Sequence, residues 1–164
     1  MIGVAPPAPS VSRHPATPPL PAPLAQAIVA EAASWVGTPY RHQASLKGVG
    51  CDCLGLVRGV WRTIHGVEPE PVPAYTQDWA EAAGRETLAE AARRHMRMVP
   101  RGEAGAGDIL LFRWRENLPA KHAAILVDAA RFVHAQQGAA VAFAALTPWW
   151  RRRLAFVFRF PGSA

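Results

Sequence analysis

Near Gly107 the chain changes its hydrophobic period, and that change limits the folds open to it. Before it, apolar residues recur at helical spacing. "LAQAIVAEAASWVG" puts Ile28, Ala32 and Trp35 on one face, with Gly37 as the stop. From Asp52 onward, Leu56, Val57, Val60, Trp61 and Ile64 form a second buried helical face. "TPYRHQASLKGVG" reads as a loop, and the prolines of "HGVEPEPVPAY" break the second helix. Residues 77–97 are rich in Ala, Glu and Arg and read as one or two surface helices. Beyond Gly107 come short apolar runs separated by turns: "DILLFRW", "HAAILVD", "RFVHAQ", "AAVAFAAL" and "RLAFVFRF". These read as strands. Helices first and an antiparallel sheet second make an α+β plan.

The length of 164 residues suits one domain with a sizeable core, and half of the chain is hydrophobic. Half of the sixteen prolines lie in residues 1–24. That stretch is expected to be a flexible Pro/Ala-rich tail, with the folded domain over 25–164. It lacks the unbroken apolar stretch of a signal peptide and has no Lys or Arg before Arg13. No apolar run reaches the roughly 18 residues of a membrane span. The expectation is a protein made in the cytoplasm, not exported by the usual signal and not inserted in a membrane. A formal net charge of +6 favours anionic surroundings without choosing among nucleic acid, membrane and cell envelope. Two cysteines do not make a disulfide framework.

Those two cysteines, Cys51 and Cys53, flank Asp52 where a loop becomes a helix. Asp52 is a good N-cap, which makes Cys53 the first helical residue. The helix dipole and free backbone N–H groups there favour a thiolate, and the same groups can hold an oxyanion. A thiolate nucleophile needs a base, and the base needs an orienting partner. His122 opens one strand and His134 lies in the next, so a hairpin can bring both to one face. His122 would take the thiol proton while His134 fixes its tautomer. His42, His65 and His95 are assigned to loop or surface.

"GTPYRHQASLKGVGCDCLGLV", "GAGDILLF", "KHAAILV" and "RFVHA", in that order, resemble the signatures of the NlpC-type papain-like cysteine peptidases. The resemblance covers about residues 25–160. It implies a papain-like α+β fold, with N-terminal helices packed on a C-terminal antiparallel sheet. It implies Cys53 as nucleophile, His122 as base and His134 as third member. Tyr40 falls at the loop tyrosine that lines the site and serves substrate or oxyanion binding. Asp52 falls at an acidic residue implicated in binding the free amine of a stem peptide, a role that competes with N-capping. The implied substrate is a peptidoglycan stem peptide, cut between D-glutamate and a diamino acid, with no cofactor or metal. "DCLGLVRGVW", "PAYTQDWAEAAG" and "WWRRRLAFVFRFP" further resemble small peptidases of phage tails and gene transfer agents. That subgroup implies tail hub or baseplate partners and local action in the periplasm or cell wall.

Other readings compete. Cys51, Cys53, His122 and His134 form a Cys₂His₂ set, but neither the C-x-C nor the His spacing suits zinc. A Cys51–Cys53 disulfide would close a very small, strained ring. A catalytically silent tail adaptor of the same fold would have no chemical need for these side chains. "WWRRRL" has the residue types for nucleic-acid stacking. It reads more simply as a strand-edge turn with packed Trp rings and solvated Arg heads, so no nucleic-acid partner is expected.

Overall fold

The computed structural model describes residues 16–76 and 84–162. Helix α1 spans Ala22–Ser34 and α2 spans Cys53–His65. A small hairpin, β1 (Ser45–Leu46) and β2 (Gly50–Cys51), lies between them. Helix α3 is Thr87–His95. The main sheet holds β3 (Arg97–Val99), β4 (Ile109–Phe112), β5 (His122–Leu126), β6 (Arg131–His134), β7 (Ala142–Ala145) and β8 (Leu154–Arg159). Its order is β3-β8-β4-β5-β6-β7 and every pairing is antiparallel. A short helix, α4 (Pro148–Arg153), precedes β8.

Strand alternation divides the sheet into two apolar faces. Ile109, Leu111, Ala123, Ile125, Val133 and Phe158 face α1 and α2. Leu110, Phe112, Ala124, Leu126, Phe132 and Val157 form the opposite face, with Trp150 of α4 packed against it. The helices sit close because Gly59 leaves room for Trp35: a Cβ on Gly59 would lie 2.0 Å from the indole ring. The expected α+β arrangement of helices on an antiparallel sheet is what the chain forms.

Three local readings change. The loop before Cys53 contains the β1–β2 hairpin. "PWWRRR" is helical rather than a turn. The expected tail over 1–24 lies partly outside the described residues (1–15), but its last part is packed against the body. Leu20 is buried, and α1 already begins at Ala22 because Pro21 and Pro23 suit a helix start. Arg159 holds this segment, donating to the Thr17 and Pro18 carbonyls. It also forms a buried two-pronged ion pair with Asp108, at 2.8 and 2.6 Å. Of the surface-helix stretch 77–97, residues 77–83 lie outside the described residues. Among the described residues no helix is long and apolar enough to cross a membrane.

Candidate active site

Asp52 caps α2 through its side chain: Oδ1 accepts the Gly55 N–H at 2.7 Å. Gly55 is required there, since a Cβ would fall 1.9 Å from the Ala44 carbonyl oxygen. Cys53 is thereby held as the first helical residue. Its S–H donates to the Lys121 carbonyl at 3.8 Å, and the sulfur accepts from the Ala123 backbone N–H. The sulfur therefore lies against the backbone on either side of His122.

The helix start does not make this sulfur a resting thiolate. Burial pushes the Cys53 thiol up to about 11, and the Asp52 charge adds to the rise. Backbone N–H groups of Ala123, Leu54 and Cys53 pull the other way and do not prevail. The helix start favours the thiolate, but desolvation of the sulfur outweighs it.

The hairpin of β5 and β6 brings the two histidines together. Ala124 and Phe132 share a sheet face, and so do His122 and His134, which follow the same alternation. His122 Nε2 lies 2.9 Å from His134 Nδ1. Both rings are buried. Burial lowers His122 to about 3, with a further push from His134, and lowers His134 to about 4. Both are neutral near pH 7.

An aromatic wall encloses the pair. Trp150 stacks on His122 at 5.7 Å and meets His134 edge-on at 5.6 Å. Trp114 stacks on His122 at 5.5 Å, and Phe132 meets His134 at 5.0 Å. Sequence reasoning missed Trp114 and Trp150, which reach the pair only through the sheet and α4.

The cleft beside Cys53 has a volume of about 390 Å³ and is lined by Tyr40, Asp52, Cys53, Tyr75, Trp114 and His122, among others. Tyr40 is carried on a loop, its N–H bonded to the Ala139 carbonyl at 3.0 Å. Burial and the neighbouring Cys53 and Asp52 push its phenol up to about 12, so it stays a donor. The other oxygen of Asp52 is engaged as well. Oδ2 accepts the Gln43 backbone N–H at 2.7 Å and the Tyr75 hydroxyl. His42, expected in loop or surface, lines this cleft with its Nε2 2.8 Å from the Tyr75 carbonyl. Tyr75 was also missed, because "PVPAY" carries no signal of what it packs on.

Cys51 belongs to the core and is fully buried, with burial pushing its thiol up to about 12. Cys53 faces the cleft instead, and the two thiols are free. Among the described residues no three His, Cys, Asp or Glu side chains gather as a metal cluster. His65 stacks on Phe160 at 5.9 Å, and His95 pairs with Glu70 at 3.2 Å, both away from the cleft.

The NlpC/P60 family pattern matches residues 37–159 of the chain. No curated protein matches it in sequence. Among solved structures, the NlpC/p60 domain of the peptidoglycan hydrolase SagA is 26% identical, with a TM-score of 0.56. That match covers 83% of this chain and 98% of the SagA domain. An NLP/P60-family protein of Staphylococcus aureus, similar to lipoprotein, is 21% identical with a TM-score of 0.62 over 92% of this chain. An NlpC/P60 family protein from Bacillus cereus is 20% identical with a TM-score of 0.62 over 87% of it. The matches span 46% of the S. aureus chain and 41% of the B. cereus chain, so this chain corresponds to less than half of either. Both likenesses concern the fold alone.

Proposed function

The chain belongs to the NlpC/P60 family, and from that premise we propose that it is a cysteine endopeptidase of peptidoglycan stem peptides. The bond we assign is the one between D-glutamate and the diamino acid. The observation that carries this reading is the contact of Cys53 with the backbone around His122, whose ring is bonded to His134. The likeness to the SagA hydrolase domain supports the substrate class.

The chemistry starts from a neutral thiol and a neutral imidazole. With Nε2–H of His122 donated to His134 Nδ1, His122 Nδ1 is the free base. It takes the Cys53 proton as the sulfur bonds to the scissile carbonyl carbon. The carbonyl electron pair moves to oxygen. The N–H groups at the start of α2 and the Tyr40 hydroxyl are the donors available to that oxyanion. On collapse the C–N bond breaks, and His122 gives its proton to the departing amine. Water then attacks the thioester, with His122 taking its proton and returning it to the sulfur. Asp52 acts through the cap that fixes Cys53.

The delivery we propose is a phage-like or gene transfer agent tail, docked to hub or baseplate proteins, with action in the cell wall after delivery. It rests on the likeness of "PAYTQDWAEAAG" and "WWRRRLAFVFRFP" to tail-borne peptidases. Digestion of purified peptidoglycan, read by mass spectrometry, tests the chemistry. New D-glutamate carboxyl ends with the wild type, and none with Cys53→Ala, are expected. Equal release by both would overturn the peptidase reading. Absence of the chain from purified particles would overturn the delivery.

A further inference from the structure

The end of the cleft beside Asp52 is occupied by the chain itself, and this bears on which stem peptides it accepts. A carboxylate offers about four acceptor positions. On Asp52 three are taken, by the Gly55 N–H, the Gln43 N–H and the Tyr75 hydroxyl. The residue is only 2% exposed. Gln43 is held for this contact in the left-handed region, at φ 63°. Among the described residues it is the one non-glycine with positive φ.

Tyr75 is secured at both ends. Its hydroxyl is on Asp52, and its carbonyl accepts from His42 Nε2 and Gln43 Nε2, each at 2.8 Å. The His42 ring meets it edge-on at 5.1 Å. Among the described residues Asp52 is the only acidic residue lining the cleft. The charge of Asp52 remains, but it is buried behind Tyr75, with His42 Nδ1 3.8 Å from Oδ2 on the same side. An ammonium could pair with it at hydrogen-bond distance only by displacing Tyr75, and one stopped short of that would be desolvated without a direct partner, which is costly. An acylated terminus carries no charge and needs none. Leu54 and Leu88 add apolar surface to the lining of the cleft.

We propose that this cleft takes stem peptides whose amino terminus is acylated, the form still joined to the glycan strand, and that Tyr75 sets this preference by filling Asp52. The inference rests on the peptidase reading above. It departs from the amine-binding role that the family resemblance implies for Asp52.

The test compares three forms of one stem peptide: free amine, N-acetylated and disaccharide-linked. Wild type is expected to cleave both acylated forms at least as well as the free amine. Tyr75→Phe keeps the ring and frees Asp52, and should raise the free-amine to N-acetyl ratio of kcat/KM about tenfold. A merely structural role for Tyr75 would lower both forms alike and leave that ratio unmoved, which would overturn the proposal. So would a wild type that prefers the free amine. Binding of the same peptides to Cys53→Ala, by calorimetry, should follow the same order. Failure of wild type to cleave any form would refute the peptidase reading itself, and the inference with it.

Discussion

His122 Nε2 and His134 Nδ1 lie 2.9 Å apart inside an aromatic enclosure that keeps both rings neutral. The partner of the proposed base is thus another imidazole, not a carboxylate. It can fix the tautomer of His122 but contributes no full negative charge at neutral pH. Removing it should cost orientation above all. His134→Ala is expected to lower kcat/KM about 100-fold, the order of loss for a catalytic group displaced by about 1 Å. His134→Gln, which keeps a hydrogen-bonding group, should recover part of the loss. Steady-state kinetics on a stem peptide check both.

The same burial sets the acid side of the pH profile. Proton uptake by His122 removes the base, and burial holds that uptake near pH 3 rather than near the ordinary histidine value. The acid limb of kcat/KM should therefore lie well below pH 6. Trp150→Ala opens the enclosure to water and should move that limb upward toward the usual range. A limb that stays fixed in the variant would show that Trp150 does not govern the titration.

Stability should follow the same two groups. His122 and His134 bind protons less readily folded than unfolded, because both are lowered from 6.5, to about 3 and about 4. The unfolded chain takes up more protons as pH falls below about 6.5, so their contribution is complete above that value and declines beneath it. Melting temperature is expected to fall between pH 7 and pH 4. His134→Gln should flatten the slope in a calorimetric series over this range.

The thiols give an independent readout. Cys53 rests as a thiol, raised to about 11, and Cys51 is sealed in the core at about 12. Alkylation by iodoacetamide should modify only Cys53 in the native protein, with a rate that keeps rising beyond pH 9. Denaturant should expose the second thiol. Mass spectrometry of the adducts counts them, and a rate already level at pH 7 would indicate a resting thiolate instead.

What could be read in the sequence depended on the range of the interaction. Asp52 and Cys53 are four residues or fewer from what fixes them in the helix start, so the N-cap was legible. His122 and His134 were legible as neighbours because a hairpin has few ways to pair. Trp150 was not, because its meaning depends on α4 folding over the opposite sheet face. Tyr75 was not, because its partner Asp52 is 23 residues away across an irregular segment. The resting thiol was misread for a related reason. The dipole is a property of the local helix, while desolvation comes from β5, which packs against α2 from far along the chain.

The Gly107–Asp108 step into β4 has a structural role. Asp108 has no exposed surface and its carboxylate is clasped by Arg159, also buried. Asp108 Oδ2 also accepts the Gly105 N–H at 2.8 Å, so the strand start, β8 and the Thr17–Pro18 segment meet at one ion pair. Asp108→Ala leaves the guanidinium buried without a counter-charge and should destabilise the fold by about 3–5 kcal/mol. Replacing the pair together, with Asp108→Leu and Arg159→Met, removes the stranded charge and should recover much of that loss. Denaturant unfolding of Asp108→Leu, Arg159→Met and their combination forms the cycle. A double variant no better than Asp108→Ala would mean that the hydrogen bonds from Arg159 to Thr17, Pro18 and Glu103 matter more than charge pairing.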